Sequence, residues 1–256
     1  MKDIFPRVLV TGGGRRIGGA LSSYLAHAGF EVWVHVWQSQ AAAAELIASF
    51  PDPERHRITR CNLSDPAARQ SWLQTLPEFD LVINNASVYR LTAPQSAEKP
   101  SDRERYWQVN YFAPLEIIQK QYEQKSSRTG KKVAVTLLDS DILEPDGGIK
   151  AFSEVPDGVD SYLPSRIKLA HTLKDLASEH APQQRINAIA PGAVIPPVNC
   201  TTPGMTRILE RVPMHQPVQL EEITRAVELF WNSPSLTGVI LPVDGGMHLQ
   251  KKASKL

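Results

Sequence analysis

Short apolar runs rich in β-branched residues alternate along this chain with longer segments whose apolar residues recur at helical spacing. The runs fall at Val8–Val10, Val32–Val36, Arg57–Cys61, Leu81–Asn84, Val133–Leu138, Ile186–Ile189 and Val239–Pro242. The amphipathic segments lie near 17–28, 41–49, 66–75, 110–125, 162–179 and 220–232. Continuous apolar runs of this length are what strands covered on both faces look like. Their alternation with helices predicts an α/β fold, a doubly wound parallel sheet with ligands bound beyond the carboxyl ends of its strands. One domain is expected over residues 1–250, followed by a basic tail, 251–256. Glu144–Asp160, with three glycines and two prolines, reads as a loop. Pro196–Pro203 reads as a turn-rich stretch leading to a short helix near Thr206–Arg211.

Residues 7–18, Arg-Val-Leu-Val-Thr-Gly-Gly-Gly-Arg-Arg-Ile-Gly, carry the first chemical signal. An apolar strand enters a glycine-rich turn, and the helical pattern Ile17, Ala20, Leu21, Tyr24, Leu25 follows at once. That is the local architecture of a nucleotide phosphate site. Gly12, Gly13 and Gly14 let the backbone turn sharply, and Gly18 lets the helix pack closely. The helix start offers N–H groups and partial positive charge to a pyrophosphate. Arg16 stands where a plain version of this loop would carry another glycine, and adds a cation beside the phosphates.

Charge and cysteine usage narrow the partners. A net charge of +1 gives no field that would draw the protein to nucleic acid or a membrane surface. Cys61 and Cys200 show no metal or disulfide spacing, so a reducing compartment and no metal are expected. No apolar run approaches the length of a membrane span, and the first strand begins at once, leaving no room for a leader. A cytoplasmic location follows as an expectation.

Five more motifs appear in order. Asp80-Leu-Val-Ile-Asn-Asn-Ala-Ser87 is an apolar strand ending in Asn84-Asn85-Ala86, and Val109-Asn110 reads as a helix opening. Ser161-Tyr-Leu-Pro-Ser-Arg166 opens another helix, and Arg185-Ile-Asn-Ala-Ile-Ala-Pro-Gly192 is a strand ending in Pro-Gly. Thr237–Gly246 closes the fold. With the glycine turn, this set resembles the short-chain dehydrogenase/reductase family from end to end. The resemblance implies a Rossmann-type fold, a nicotinamide cofactor, a small-molecule substrate and a homotetramer built on the helices near 110–125 and 162–179. It places the cofactor's phosphates on Thr11, Gly12, Gly14, Arg15, Arg16, Ile17 and Gly18. Asn62, Leu63, Asn85, Ala86 and Ser87 would follow along the dinucleotide, and Tyr162, Arg166, Pro191, Gly192 and Val194 would meet its nicotinamide end. The second strand, Glu31-Val-Trp-Val-His-Val-Trp-Gln-Ser39, lacks the carboxylate that would hold a ribose 2′-hydroxyl. Arg15 and Ser39, with His35 nearby, could meet a 2′-phosphate, which favours NADPH.

Family members use an Asn–Ser–Tyr–Lys set, in which the tyrosine moves the substrate proton and the lysine lowers its pKa. Tyr162 and Asn110 match two of these. Arg166 stands in the lysine's place, on the same helix face, and can supply charge but cannot relay protons. Lys168 points to another face. Asp139 aligns with the serine, with Ser140 the alternative. An aspartate there, an arginine in the glycine loop, Asn-Asn-Ala-Ser87 and Tyr89 look like the pteridine reductase branch, as does Pro191-Gly-Ala-Val-Ile-Pro-Pro197. That branch would hold a pterin with Arg16, Tyr89, Asp139 and Tyr162. Two other readings stay open: a carbonyl or ketoacyl reductase, and a weakly catalytic cofactor-binding relative, given Arg166. The terminal Ser254-Lys255-Leu256 would read as a peroxisomal or glycosomal address in a eukaryote, and as a frayed basic tail otherwise.

Overall fold

The computed structural model describes residues 5–89, 96–125, 127–154, 156–194 and 202–250. Seven strands form one all-parallel sheet in the order β3-β2-β1-β4-β5-β6-β7. They are β1 (Arg7–Thr11), β2 (Glu31–Val36), β3 (Arg57–Arg60), β4 (Leu81–Asn84), β5 (Val133–Leu137), β6 (Arg185–Pro191) and β7 (Ile240–Val243). Within β1 the pleat sends Val8 and Val10 to one face and Leu9 to the other, and all three are fully buried. One face packs against α1 (Arg16–His27), α2 (Gln40–Ala48) and α8 (Leu220–Asn232) through Leu21, Leu25, Ala43, Ile223 and Phe230. The other packs against α3 (Pro66–Thr75), α5 (Ala113–Tyr122) and α6 (Tyr162–Glu179) through Trp72, Ile117, Leu169 and Leu173. The predicted α/β architecture is therefore present.

Three expectations need correction. Asn110 does not open a helix. An unpredicted helix, α4 (Pro100–Trp107), runs without a break through a π-type turn at Gln108–Phe112 into α5. Pro114 has no N–H to give the carbonyl four residues back, that of Asn110, and the widened turn accommodates the defect. The stretch 144–160 is a loop over its described residues from 151 onward, but its first part is a hairpin. The Glu144 N–H donates to the Gly148 carbonyl and the Lys150 N–H to the Ile142 carbonyl, closing a tight hairpin around the Leu143–Ile149 bridge. The short helix α7 spans Thr202–Leu209, earlier than its apolar pattern suggested. Residues 195–201 and the tail 251–256 lie outside the described residues.

Gly18 is set against the turn itself rather than against a strand. A β-carbon there would lie 2.2 Å from the Gly12 carbonyl oxygen and 2.5 Å from Asn85 Nδ2. Gly18→Ala should therefore push α1 off the turn and cost about 1–3 kcal/mol. Urea unfolding of the two proteins measures this, and equal stabilities would show that the contact relaxes freely.

Candidate active site

The carboxyl ends of β1, β4, β5 and β6 open on one cavity of about 510 Å³. At the β1 end, Gly12 turns with φ +61°. Arg16 follows with φ +55°, the left-handed region that favours glycine, at the place where the sequence substitutes arginine for it. Holding a side chain there costs about 1 kcal/mol. Arg15 and Arg16 are both exposed and line the cavity beside the start of α1. Thr11 and Gly14 stand behind this surface. The Thr11 hydroxyl donates to the Ile83 carbonyl and accepts from the N–H groups of Asn85 and Ala86. Gly14 packs on Val36 and Ala43, with the Ser39 hydroxyl next nearest. Ile17, Gly18, Asn62, Leu63, Asn85, Ala86 and Ser87 form the middle of the cavity wall.

His35 lines the cavity but cannot serve a phosphate. Its Nδ1 accepts from the Gly12 N–H at 3.3 Å, so its Nε2–H donates to the Cys61 carbonyl at 3.1 Å. Both ring nitrogens are thus used, and burial brings its pKa down to about 4. The suggestion that His35 meets a 2′-phosphate is corrected by this geometry. Trp37 and Arg105 also line the cavity, and neither was singled out from the sequence. Arg105 sits on the unpredicted helix α4, so no motif pointed to it.

At the other end of the cavity, Tyr162 starts α6. Its hydroxyl donates to Asp139 Oδ1 at 2.9 Å. Arg166, buried, donates through Nε to Asp139 Oδ2 at 3.0 Å and through Nη2 to the Leu137 carbonyl. Asp139, not Ser140, therefore occupies the place beside the phenol, and Ser140 begins the next turn. Arg166 and Tyr162 meet through this carboxylate. The Arg166 cation does act to lower the tyrosine pKa, but burial first, and the Asp139 charge second, outweigh it and push the phenol upward. Lys168 lies against the Phe152 ring, away from the site. Asn110 is fully buried one layer behind the cavity. Its Oδ1 accepts from the Val88 N–H at 2.9 Å and the Ser87 hydroxyl at 3.2 Å, and its Nδ2 donates to the Val88 carbonyl. Asn110 thus holds the loop after β4 in place.

A smaller cleft of about 270 Å³ adjoins this end. Arg16, Tyr89, Asp139 and Tyr162 form its polar side, and Val194, Met205, Ile208 and Met247 its apolar side. The Tyr89 ring, half exposed, meets the Tyr162 ring edge-on at 4.8 Å. The four residues the sequence assigned to a substrate are brought together here. Pro191 and Gly192 close the floor, where Gly192 sits so tightly on Asp244 that a β-carbon would lie 2.8 Å from its Cα.

Residues 13–248 match the family model described as enoyl-(acyl carrier protein) reductase. The chain belongs to the short-chain dehydrogenase/reductase family. It is an oxidoreductase of this family, whose members use NAD or NADP, and it acts on small molecules. Among similar proteins is the rhamnolipids biosynthesis 3-oxoacyl-[acyl-carrier-protein] reductase of Pseudomonas aeruginosa, 26% identical over 94% of this chain and 95% of that protein. Pteridine reductase 1 of Leishmania tarentolae is 22% identical, over 96% and 97%. The structure of FolM alternative dihydrofolate reductase 1 from Brucella suis in complex with NADP matches with a TM-score of 0.83 at 25% identity, over 99% of both chains. Among the described residues no helix is long and apolar enough to cross a membrane, and no group of His, Cys, Asp and Glu could hold a metal ion.

The state of His35 sets an acid limit on stability. Its folded pKa near 4 lies below the ordinary 6.5, so its contribution is complete above pH 6.5 and is lost as pH falls toward 4. The full loss amounts to roughly 3 kcal/mol. Unfolding midpoints of wild type and His35→Gln across this range test it: the variant should show a shallower decline, and identical declines would contradict the assignment.

Proposed function

We propose that this chain is an NADPH-dependent reductase of a pterin or a similar flat, hydrogen-bonding heterocycle, with Tyr162 as proton donor. The observation that carries this reading is the carboxylate of Asp139 placed between Tyr162 and Arg166 at the cleft. A serine at that place would donate a hydrogen bond to a carbonyl oxygen. A carboxylate ion-paired with arginine only accepts, so it suits a substrate that presents N–H groups. Tyr89 offers a ring face or edge to such a heterocycle, and Arg16, held in a strained conformation, stands at the rim. The FolM and pteridine reductase likenesses support the same reading.

A dinucleotide fits the larger cavity by size and by its donors, namely the backbone at the start of α1 with Arg15 and Arg16. When bound, it would supply the two electrons of the reduction as hydride. The chain's own part is to hold the substrate under Tyr89, exclude water and deliver the phenolic proton. The raised pKa keeps Tyr162 protonated well past neutral pH, and Asp139, one-third exposed, links it to solvent. NADPH is favoured because no carboxylate follows Val36 and Arg15 lines the cavity. Arg166 holds Asp139 and so keeps the acceptor in place, while its charge only partly offsets the upward push on the phenol. A homotetramer through α5 and α6 belongs to the same proposal, supported by the exposed Phe112 at the end of the π-type turn that leads into α5.

Carbonyl reduction is the second reading, favoured by the ketoacyl reductase likeness and the apolar side of the cleft. NADPH consumption with dihydropterins, dihydrofolate, ketoacyl thioesters and small ketones separates the two; turnover of thioesters alone would reject the heterocycle.

NADPH should bind more tightly than NADH by about 1–3 kcal/mol, and Arg15→Ala should remove most of that difference. Calorimetric titrations with both cofactors decide it, and equal affinities in the wild type would reject the assignment. Tyr162→Phe should cut turnover by roughly 10²–10⁴-fold with cofactor affinity unchanged. In the wild type no loss of kcat from phenol ionisation should appear below about pH 10, the ordinary phenol value that Tyr162 exceeds. A Tyr162→Phe enzyme with wild-type rate would exclude the phenol as donor.

A further inference from the structure

The start of α6 is held by a residue from a distant segment. Ser161, which precedes Tyr162, does not cap the helix with its own hydroxyl. Its N–H and its Oγ–H both donate to the carboxylate of Glu98, each at 2.7 Å. Ser161 is fully buried and Glu98 is 6% exposed. Glu98 belongs to the stretch between the Tyr89 loop and α4. The two segments are joined again by the Glu98 N–H, which donates to the Gly158 carbonyl at 2.9 Å. Arg103 on α4 adds hydrogen bonds to the Pro156 carbonyl and to Asp157.

Burying a carboxylate costs several kcal/mol unless its lone pairs are met, and any apolar residue would fill the volume more cheaply. Two short hydrogen bonds and the positive end of α6 meet that cost here. What the arrangement adds is registry. The segment leading into α4 and the helix that carries Tyr162 are tied at the residue immediately before Tyr162.

We propose that Glu98 is a positioning residue for the reaction: through Ser161 it sets where Tyr162 stands relative to Asp139 and Tyr89. The inference rests on the reading of Tyr162 as proton donor. A phenol displaced by even part of an ångström loses its alignment with Asp139 Oδ1 and with the substrate atom that receives the proton. The glycine turn, on the far side of the cavity, is untouched by such a shift.

The test compares wild type, Glu98→Gln, Glu98→Asp and Ser161→Ala, using the substrate identified by the panel above. Glutamine keeps the shape but sets an NH₂ donor against one of Ser161's donors. Aspartate keeps the charge but falls short by a methylene. In Glu98→Gln, kcat should fall about 10–100-fold while the Kd for NADPH stays within about threefold. Glu98→Asp should recover part of the loss. The double variant Glu98→Gln/Ser161→Ala should be no worse than Glu98→Gln alone. If Glu98→Gln does not fold, Ser161→Ala, which removes only the hydroxyl contact, must show the same split between kcat and Kd. An unchanged kcat in Glu98→Gln would overturn the proposal. So would a fall in cofactor affinity and thermal stability in step with kcat, which marks a structural role only. A Tyr162→Phe enzyme with wild-type turnover would overturn the donor reading itself, and this inference with it; a dead Tyr162→Phe beside an unaffected Glu98→Gln removes this inference alone.

Discussion

Where β1 leaves the sheet, the Thr11 hydroxyl donates to the Ile83 carbonyl and accepts from two successive N–H groups, of Asn85 and Ala86. Asn85 returns the contact through Nδ2 to the carbonyls of Thr11 and Gly12. Two strands that are neighbours in the sheet, yet more than seventy residues apart in the chain, are thereby fastened just as both begin to turn. Parallel pairing aligns strand ends without saying how the emerging loops diverge; this knot does. The glycine turn, the Asn85–Ser87 wall and the start of α1 all take their positions from it. Gly18 pressed on the Gly12 carbonyl and His35 bonded to the Gly12 N–H complete the same unit.

The other end of the cavity is organised around charge. Asp139 receives a proton donor from Tyr162 and a cation from Arg166, both on one turn of α6. The family's usual lysine would act on the phenol as a cation. Here the arginine's charge is directed to the aspartate, and the tyrosine is left more basic than a free phenol. Arginine keeps the charge of the lysine it replaces, and its guanidinium reaches the Asp139 carboxylate and the Leu137 carbonyl together.

Much of the architecture was legible in the chain. Seven strand-like segments became seven strands, with boundary shifts of a residue or two; the inner ones were legible because strands covered on both faces are continuously apolar, whereas β3 at the sheet edge is partly polar and exposed. Arg16 could be recognised as standing in a glycine's place, and its positive φ shows the same constraint in the backbone. Helix α4 was missed because its residues are almost all polar and charged; what holds it there is its continuation into α5 and the burial of Tyr106. Nor does any local pattern announce that Asn110 lies in a π-type turn, although Pro114 is its cause.

The sequence by itself determined the order of elements and the glycine-rich turn before α1. Those follow from periodicity and from short-range rules of backbone geometry, in which every participant is a near neighbour in the chain. Tertiary structure alone decided how these residues are partnered. That His35 is spent on Gly12 and Cys61, that Asp139 rather than Ser140 meets the phenol, and that Glu98 reaches Ser161 across 63 positions are contacts between segments brought together by folding. Hydrogen bonds and charge pairs act over a few ångströms whatever the sequence separation, so their partners are set by the packed sheet and not by the order of residues along it.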